Sequence, residues 1–375
     1  MLDKIKSQFQ RKVQKGENFL GIDIGTREIK MIEMAPKSQT YINKIGRAST
    51  PSGALDDGTI IQVDQVAKAI RTMWEEAGSK TRKAVASISG KNVIIRYIKL
   101  PKMSAKEVDS TLKWDAEKYV PLSPGSDLVL EHLILGEFTE NNTQQINVLL
   151  VAVPRRLVYL VNEVFTKADL TLIALEIEPL SLWRSVGSNV SVSTGSGINR
   201  LTSFIGLDIG AKASNLVVYQ GESLMFSRYI PIGGDELTKG VATSLGLEFN
   251  TAQLIKERDG LLTNNAIENI SREKENLSEA LQESLFPLVD EVRRSIEYYR
   301  SQFTQSDPQA IILTGGTAKL KGITDFFQEK LNLHVILGLK NFTLKEEAEQ
   351  TERGMGKVDP TFAVAVGLAL REELA

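Results

Sequence analysis

Two stretches of the chain read alike. Residues 19–34 are FLGIDIGTREIKMIEM and residues 204–219 are FIGLDIGAKASNLVVY. Each has an apolar run, then Asp-Ile-Gly, a polar turn and a second β-prone run. A single DxG is a common, weak signal, but two in the same setting predict a chain built from two similar α/β halves. Gly25 and Gly210 can take backbone angles closed to other residues, and without Cβ they let phosphate oxygens approach main-chain N–H groups. Thr26 adds a hydroxyl to the first loop, and Lys212 and Ser214 add an ammonium and a hydroxyl near the second. Asp23 and Asp208 stand where their strands are expected to end, placed to face each other across a cleft. Two carboxylates there would repel a bare triphosphate. They suit Mg²⁺ held through water, because Mg²⁺ keeps part of its shell and offsets phosphate charge. The plainer alternative is a pair of ordinary hairpins whose aspartates cap their turns.

At 375 residues the chain exceeds what one core usually serves, so two or three packed units are expected. A 42% apolar and 25% charged composition is that of a soluble globular protein. The net charge of −2 removes the simplest argument for nucleic-acid binding. With no cysteine, disulfides, thiolate metal sites and cysteine nucleophiles are excluded. His132 and His334 lie far apart, without candidate ligands beside them, and read as structural or surface residues. No apolar run approaches 18 residues, and the N-terminus lacks the apolar core of a secretory signal. There is no GxxxxGK[ST] and no GxGxxG opening a helix, which argues against P-loop and dinucleotide folds. Residues 1–16 place Leu2, Ile5, Phe9 and Val13 at helical spacing among Lys4, Lys6, Arg11, Lys12 and Lys15. That pattern suits either a helix on an anionic membrane or partner, or a terminal helix packed on its own protein.

Between the repeats, residues 62–78 predict a helix with Val63, Val66, Ala67, Ile70 and Trp74 inward. Strands follow over 84–100. Ser104 and Glu107 stand at capping-box spacing before a helix expected over 105–119. Residues 128–135 and 146–153 read as strands around an NNTQQ turn, and Pro154 opens a helix near 155–169. Residues 86–165 thus form a compact α+β insert. Residues 172–182 return to the first half, and 186–201, rich in Ser, Gly and Asn, read as a mobile hinge or surface loop. In the second half, Gly233 and Gly234 form a turn and Asp235 is placed to cap the next helix. Gln253 and Lys256 share a helical face, a pair that is more often solvated than bound to ligand. A long helix is expected over about 280–302. AIILTGG then runs into Gly315 and Gly316, which would let a flat base lie against main chain, with Lys319 following.

The motifs DIGTREIK and DIGAKASN resemble the paired phosphate loops of the actin-like ATPases. IGGDELTKG (232–240), AQLIK (252–256) and LTGGTAKLKG (313–322) are similar to second-half motifs of the bacterial members. With the insert, RRSIEYYRSQ (293–302) and DPTFAVAVGLALR (359–371), the chain most resembles the PilM family of type IV pilus assembly, related to the FtsA and MreB families. The resemblance covers nearly the whole chain.

It implies an α/β, actin-like two-lobed ATPase fold with duplicated ribonuclease H-like halves. The lobes would be 17–185 with 355–375, carrying the 86–165 insert, and 204–354, joined by a flexible connection over 186–203 behind the basic segment 1–16. It implies ATP or ADP with Mg²⁺ between the lobes. Asp23, Gly25, Thr26 and Lys30 match the first phosphate loop, and Asp208, Gly210, Ala211, Lys212 and Ser214 the second. Asp23 and Asp208 would hold the metal through water. Gly233 and Gly234 follow, Gln253 and Lys256 match the sugar edge, and Gly315, Gly316 and Lys319 the nucleoside side. No catalytic residue is assigned.

The implied partner is the N-terminal cytoplasmic tail of a PilN-type inner-membrane protein, bound in a groove involving the insert. Platform proteins, assembly motor ATPases and self-association are further expectations, with no nucleic acid. The protein is expected in the cytoplasm, peripheral on the inner face of the membrane and attached mainly through partners. Many actin-like ATPases have a second loop close to DxGGGTTD; here Ala211, Ala213 and Asn215 replace a glycine, a threonine and an acid. Binding is expected to survive, with at most slow hydrolysis, since hydrolysis needs closely placed groups around the water. Likewise Thr251 and Gln253 leave the sugar-edge helix without an acid. The alternatives are an FtsA-like division filament, a sugar kinase and a chaperone ATPase. An FtsA-like anchor tail is not expected, because the chain stops at Ala375 directly after its last predicted helix. No sugar-pocket cluster supports a kinase, and no substrate domain supports a chaperone.

Overall fold

The computed structural model describes residues 18–36, 38, 40–120, 127–140, 142–187, 191–194, 197–221, 223–262, 271–303, 307–339, 342–344 and 358–371. The basic segment 1–16 lies outside them. The fold separates into two compact units. One is drawn from Met1–Lys37, Lys44–Leu180 and Leu368–Ala375, the other from Ser38–Asn43 and Ser181–Gly367.

In the first unit β1 (Leu20–Ile24), β2 (Glu28–Met34) and β3 (Tyr41–Ser49) form an antiparallel meander. A small hairpin, β4 (Leu55–Asp56) with β5 (Thr59–Ile60), leads into helix α1 (Val63–Glu76) and β6 (Lys83–Ile88). β6 runs parallel to β1, and β10 (Thr171–Ile177) runs parallel to β6. Each parallel connection needs a crossover, supplied by α1 and by the insert with α4 (Arg155–Lys167). α1 packs on α4 and buries Val66, Ala67, Ile70, Met73 and Trp74. In the sheet, Ile22, Ile29, Met31 and Ile32 are fully buried, each such side chain stabilising the fold by about 1.5–3 kcal/mol.

The insert is an antiparallel sheet in the order β7 (Ile94–Pro101), β9 (Thr143–Pro154), β8 (Leu128–Glu140). One face carries Ile98, Leu100, Ile146, Val148, Leu150 and Ala152 against Val108 and Leu112 of α2 (Ala105–Trp114). The capping box forms: Ser104 accepts from the Glu107 N–H while the Glu107 carboxylate accepts from the Ser104 N–H. The expected single helix over 105–119 is interrupted at Asp115, and a short α3 (Ala116–Tyr119) follows.

The second unit opens with α5 (Glu178–Gly187), its last seven residues belonging to this unit. Within the stretch read as a connection, β11 (Ser191–Thr194) pairs with β12 (Gly197–Arg200). Its main sheet has β15 (Ser223–Ile230), β14 (Ser214–Gln220), β13 (Ser203–Ile209), β16 (Ala310–Thr314) and β17 (His334–Leu337) side by side in that order. α6 (Gly234–Leu245), α7 (Phe249–Asp259) and α8 (Arg272–Gln302) cover one face. α8 begins eight residues before the expected start, because Leu277, Ala280 and Leu281 extend its buried stripe beyond Leu285, Leu288, Val289 and Val292. The second unit also contains α9 (Ile323–Leu331) and the first five residues of α10 (Ala363–Ala369).

Candidate functional site

Each DxG sits at a hairpin turn, as the repeat predicts. In the first unit Asp23 is the register partner of Lys30, and Ile24 of Ile29, leaving Gly25, Thr26 and Arg27 as the turn. The Gly25 N–H donates to the Glu28 carbonyl at 3.1 Å. A Cβ on Gly25 would lie 2.7 Å from that carbonyl oxygen, so the turn closes only on glycine. Lys30 Nζ lies 3.2 Å from Asp23 Oδ2, with both side chains mostly buried. Thr50, which the sequence did not single out, braces the turn from the end of β3. Its hydroxyl donates to the Gly25 carbonyl at 2.6 Å and its N–H to the Arg27 carbonyl at 2.9 Å.

The second loop is built differently. Asp208 pairs with Asn215 and Ile209 with Ser214, and the Gly210 N–H donates to the Ala213 carbonyl at 3.0 Å. The Gly210 and Ala211 carbonyls accept from the Gly234 and Asp235 N–H groups at 2.9 and 2.8 Å. Two donors at the start of α6 are therefore spent on holding the loop. Asp235 does not cap the helix as expected. α6 starts at Gly234 with Gly233 as N-cap, and Asp235 falls in its first turn, where a carboxylate favours the positive end of the helix dipole.

A Cβ on Gly233 would come within 2.5–2.7 Å of three backbone atoms: the Ala211 oxygen, the Ala213 nitrogen and the Gly210 oxygen. Gly233→Ala is therefore expected to displace the second loop and cost about 1–3 kcal/mol of stability, read by chemical denaturation. Ser214 is fully buried and its hydroxyl donates to the Ile232 carbonyl at 2.6 Å, so it braces the loop from below. Lys212 is exposed on the turn and Ala211 is partly buried beside it.

Asp208 has a partner that sequence reasoning missed. Thr314, at the end of the neighbouring parallel strand, donates its hydroxyl to Asp208 Oδ1 at 2.8 Å. Directly after it, Gly315 adopts φ +86°, under the backbone of Ile209. A Cβ on Gly316 would meet only Thr361 Cγ2 at 4.0 Å, which leaves an open main-chain surface. Lys319 pairs with Asp359 at 3.0 Å. Burial alone would raise the Asp359 pKa, but the Thr361 N–H and Lys319 hold it down at about 2.

Lys256 does meet its neighbours in this unit: its ammonium donates to the Gly234 carbonyl at 2.7 Å and to the Thr238 hydroxyl at 2.8 Å. Gln253 contacts the same Thr238 hydroxyl and the Glu257 carboxylate. Gln253 and Lys256 are thus tethered to the start of α6 through Thr238, a residue whose role no local pattern announces. Asp208, Gly210, Gly233, Gly234, Gln253, Lys256, Gly315, Gly316 and Lys319 all fall in one unit, and Asp23, Gly25, Thr26 and Lys30 in the other.

Among the described residues no three His, Asp or Glu side chains gather as a metal cage. A directly caged cation does not fit these residues. A cation that keeps its water shell, as Mg²⁺ does, fits isolated carboxylates such as Asp23 and Asp208.

The chain superposes on a chain of a PilM-PilN type IV pilus biogenesis complex with a TM-score of 0.78 and 25% identity, covering 96% of this chain and 100% of that one. It also matches MreB 5 of Spiroplasma citri, solved with AMPPNP, at a TM-score of 0.51 and 11% identity over 94% of each chain. In sequence it is 22% identical to the cell division protein FtsA of Bacillus subtilis over 94% of this chain and 82% of that protein. The fold is that of the actin-like ATPases. The family model for the type IV pilus assembly protein PilM matches residues 21–373, and the chain therefore belongs to the PilM family.

Proposed function

We propose that the protein is an ATP-binding scaffold of the type IV pilus inner-membrane platform, which holds the N-terminal cytoplasmic tail of a PilN-type membrane protein in a nucleotide-sensitive way. The match over essentially the whole chain to a chain of a solved PilM-PilN complex, together with the PilM family match, supports this reading. The Asp23 hairpin and the Asp208 loop each serve as a phosphate loop for ATP or ADP, with Mg²⁺ held through water. Gln253 and Lys256 take the ribose edge, and Gly315, Gly316 and Lys319 the nucleoside side. The lobe of 17–185 with 355–375 carries the insert, and 204–354 forms the other lobe. The tail docks on the 86–165 insert, whose sheet leaves β7 and β8 at its edges and whose helix α2 ends on Trp114, 89% exposed. No helix among the described residues is long and apolar enough to cross a membrane. Attachment to the inner face runs mainly through the PilN-type partner.

Calorimetry with a synthetic PilN-type N-terminal peptide tests the scaffold reading. Binding with micromolar or better affinity is expected, and its affinity should change when Mg-ATP is added. Absence of peptide binding, with nucleotide bound and sedimentable filaments formed, would favour the FtsA-like reading instead. The loops have a separate test: Asp23→Ala combined with Asp208→Ala should abolish measurable Mg-ATP binding, and unchanged affinity would remove both loops from the site.

A further inference from the structure

Four neighbouring strands of the first unit set polar residues side by side at one edge. Lys30 on β2 is the register partner of Asp23 on β1. β1 runs parallel to β6 with Ile22 beside Ala86, so the next step sets Asp23 beside Ser87. Ser87 is in turn paired with Glu176 on β10. Strand alternation sends all four side chains to one face. The row before it, on the opposite face, is Met31, Ile22, Ala86 and Leu175, all fully buried and apolar.

Both ends of the polar row are closed by ion pairs, Lys30 with Asp23 at 3.2 Å and Glu176 with Arg371 at 2.5 Å. Ser87 lies in the middle, partly exposed, and no described residue hydrogen-bonds its hydroxyl. With strands about 4.8 Å apart, it stands one strand from each carboxylate. β1, β6 and β10 are parallel and all end here, and open α/β sheets receive ligands beyond the carboxyl ends of such strands.

We infer that the Ser87 hydroxyl is a further contact for the nucleotide's divalent cation, hydrogen-bonding a water of the hydrated ion that Asp23 holds. This rests on the nucleotide reading above. Two carboxylates balanced by two cations make the row neutral, so it offers a bare dication little attraction and an anionic phosphate little repulsion. It suits an ion that arrives already bound to phosphates and keeps several waters. Ser87 can accept a hydrogen bond from one of those waters without displacing either ion pair. Losing one such hydrogen bond weakens binding about three- to tenfold.

Ser87→Thr and Ser87→Val separate the hydroxyl from packing, because they are nearly isosteric and both suit a strand. Mn²⁺ titrated with ATP and read by electron paramagnetic resonance reports the bound cation. Calorimetry of ATP in EDTA reports the nucleotide alone. The threonine variant should bind Mn-ATP like the wild type and the valine variant about three- to tenfold more weakly, with metal-free ATP binding equal in both. Equal Mn-ATP affinity in the two variants overturns the inference and leaves the nucleotide reading intact. An equal loss of metal-free ATP binding in the valine variant also overturns it, by placing Ser87 on the nucleotide itself. A wild-type protein that binds neither Mn-ATP nor ATP removes the nucleotide reading and this inference together.

Discussion

Replacing Arg371 with methionine is expected to destabilise the first unit by about 3–5 kcal/mol, since removing one partner of a buried ion pair strands the other charge. Arg371 and Glu176 are 7% and 3% exposed, and the guanidinium lies 2.5 Å from the carboxylate. The pair ties the chain after α10 to the central strand layer at β10. Water cannot compensate Glu176 once its partner is gone, and the cost is paid in full by the folded state. The double variant Glu176→Met with Arg371→Met should recover most of the loss, because apolar groups of similar volume often replace a buried pair at little cost. Chemical denaturation of the three variants checks this. A single-variant cost below about 1 kcal/mol would mean the pair is solvated in solution.

Gly315→Ala should be as damaging. The residue sits at φ +86°, where a Cβ alone costs about 1–2 kcal/mol. Here that Cβ would also stand 2.5, 2.7 and 2.8 Å from the Ile209 oxygen, carbon and nitrogen. These are backbone atoms of the neighbouring strand and cannot rotate away. β13 and β16 would have to part at Asp208 and Thr314, which breaks the hydroxyl–carboxylate bond that orients Asp208. A total loss of about 3 kcal/mol or more and at least tenfold weaker Mg-ATP binding are expected. Gly316→Ala is the control. It has helical angles and open space, so its melting temperature should match that of the wild type, and a matching loss there would refute the steric account.

What could be read directly from the sequence was local. The two Asp-Ile-Gly turns are visible because glycine and strand alternation mark them within a few residues. The Ser104–Glu107 box is visible for the same reason. The braces of the site are not, because they come from far along the chain: Thr50 onto Gly25, Thr314 onto Asp208 and Thr238 onto Lys256. Asp235 misled because aspartate favours the N-cap in isolation, whereas here the carbonyls of Gly210 and Ala211 capture the first donors and the helix starts two residues earlier. The beginning of α8 was hidden by its charged first turn. The hydrogen bond from the buried Ser214 hydroxyl to the Ile232 carbonyl, 18 residues away, was likewise not visible locally.

The union of Glu176 with Arg371 spans 195 positions, with the second unit's strands encoded between them. A ribosome adding roughly 5–20 residues each second must therefore translate that unit before Arg371 exists. The nascent first unit waits about 10–40 s for the Arg371 partner of Glu176, while the second unit has all its strands in hand. Maturation should then proceed inside out, the later-encoded unit acquiring protease resistance first. Ribosome-stalled chains ending before Arg371 would reveal that order in a pulse of limited proteolysis.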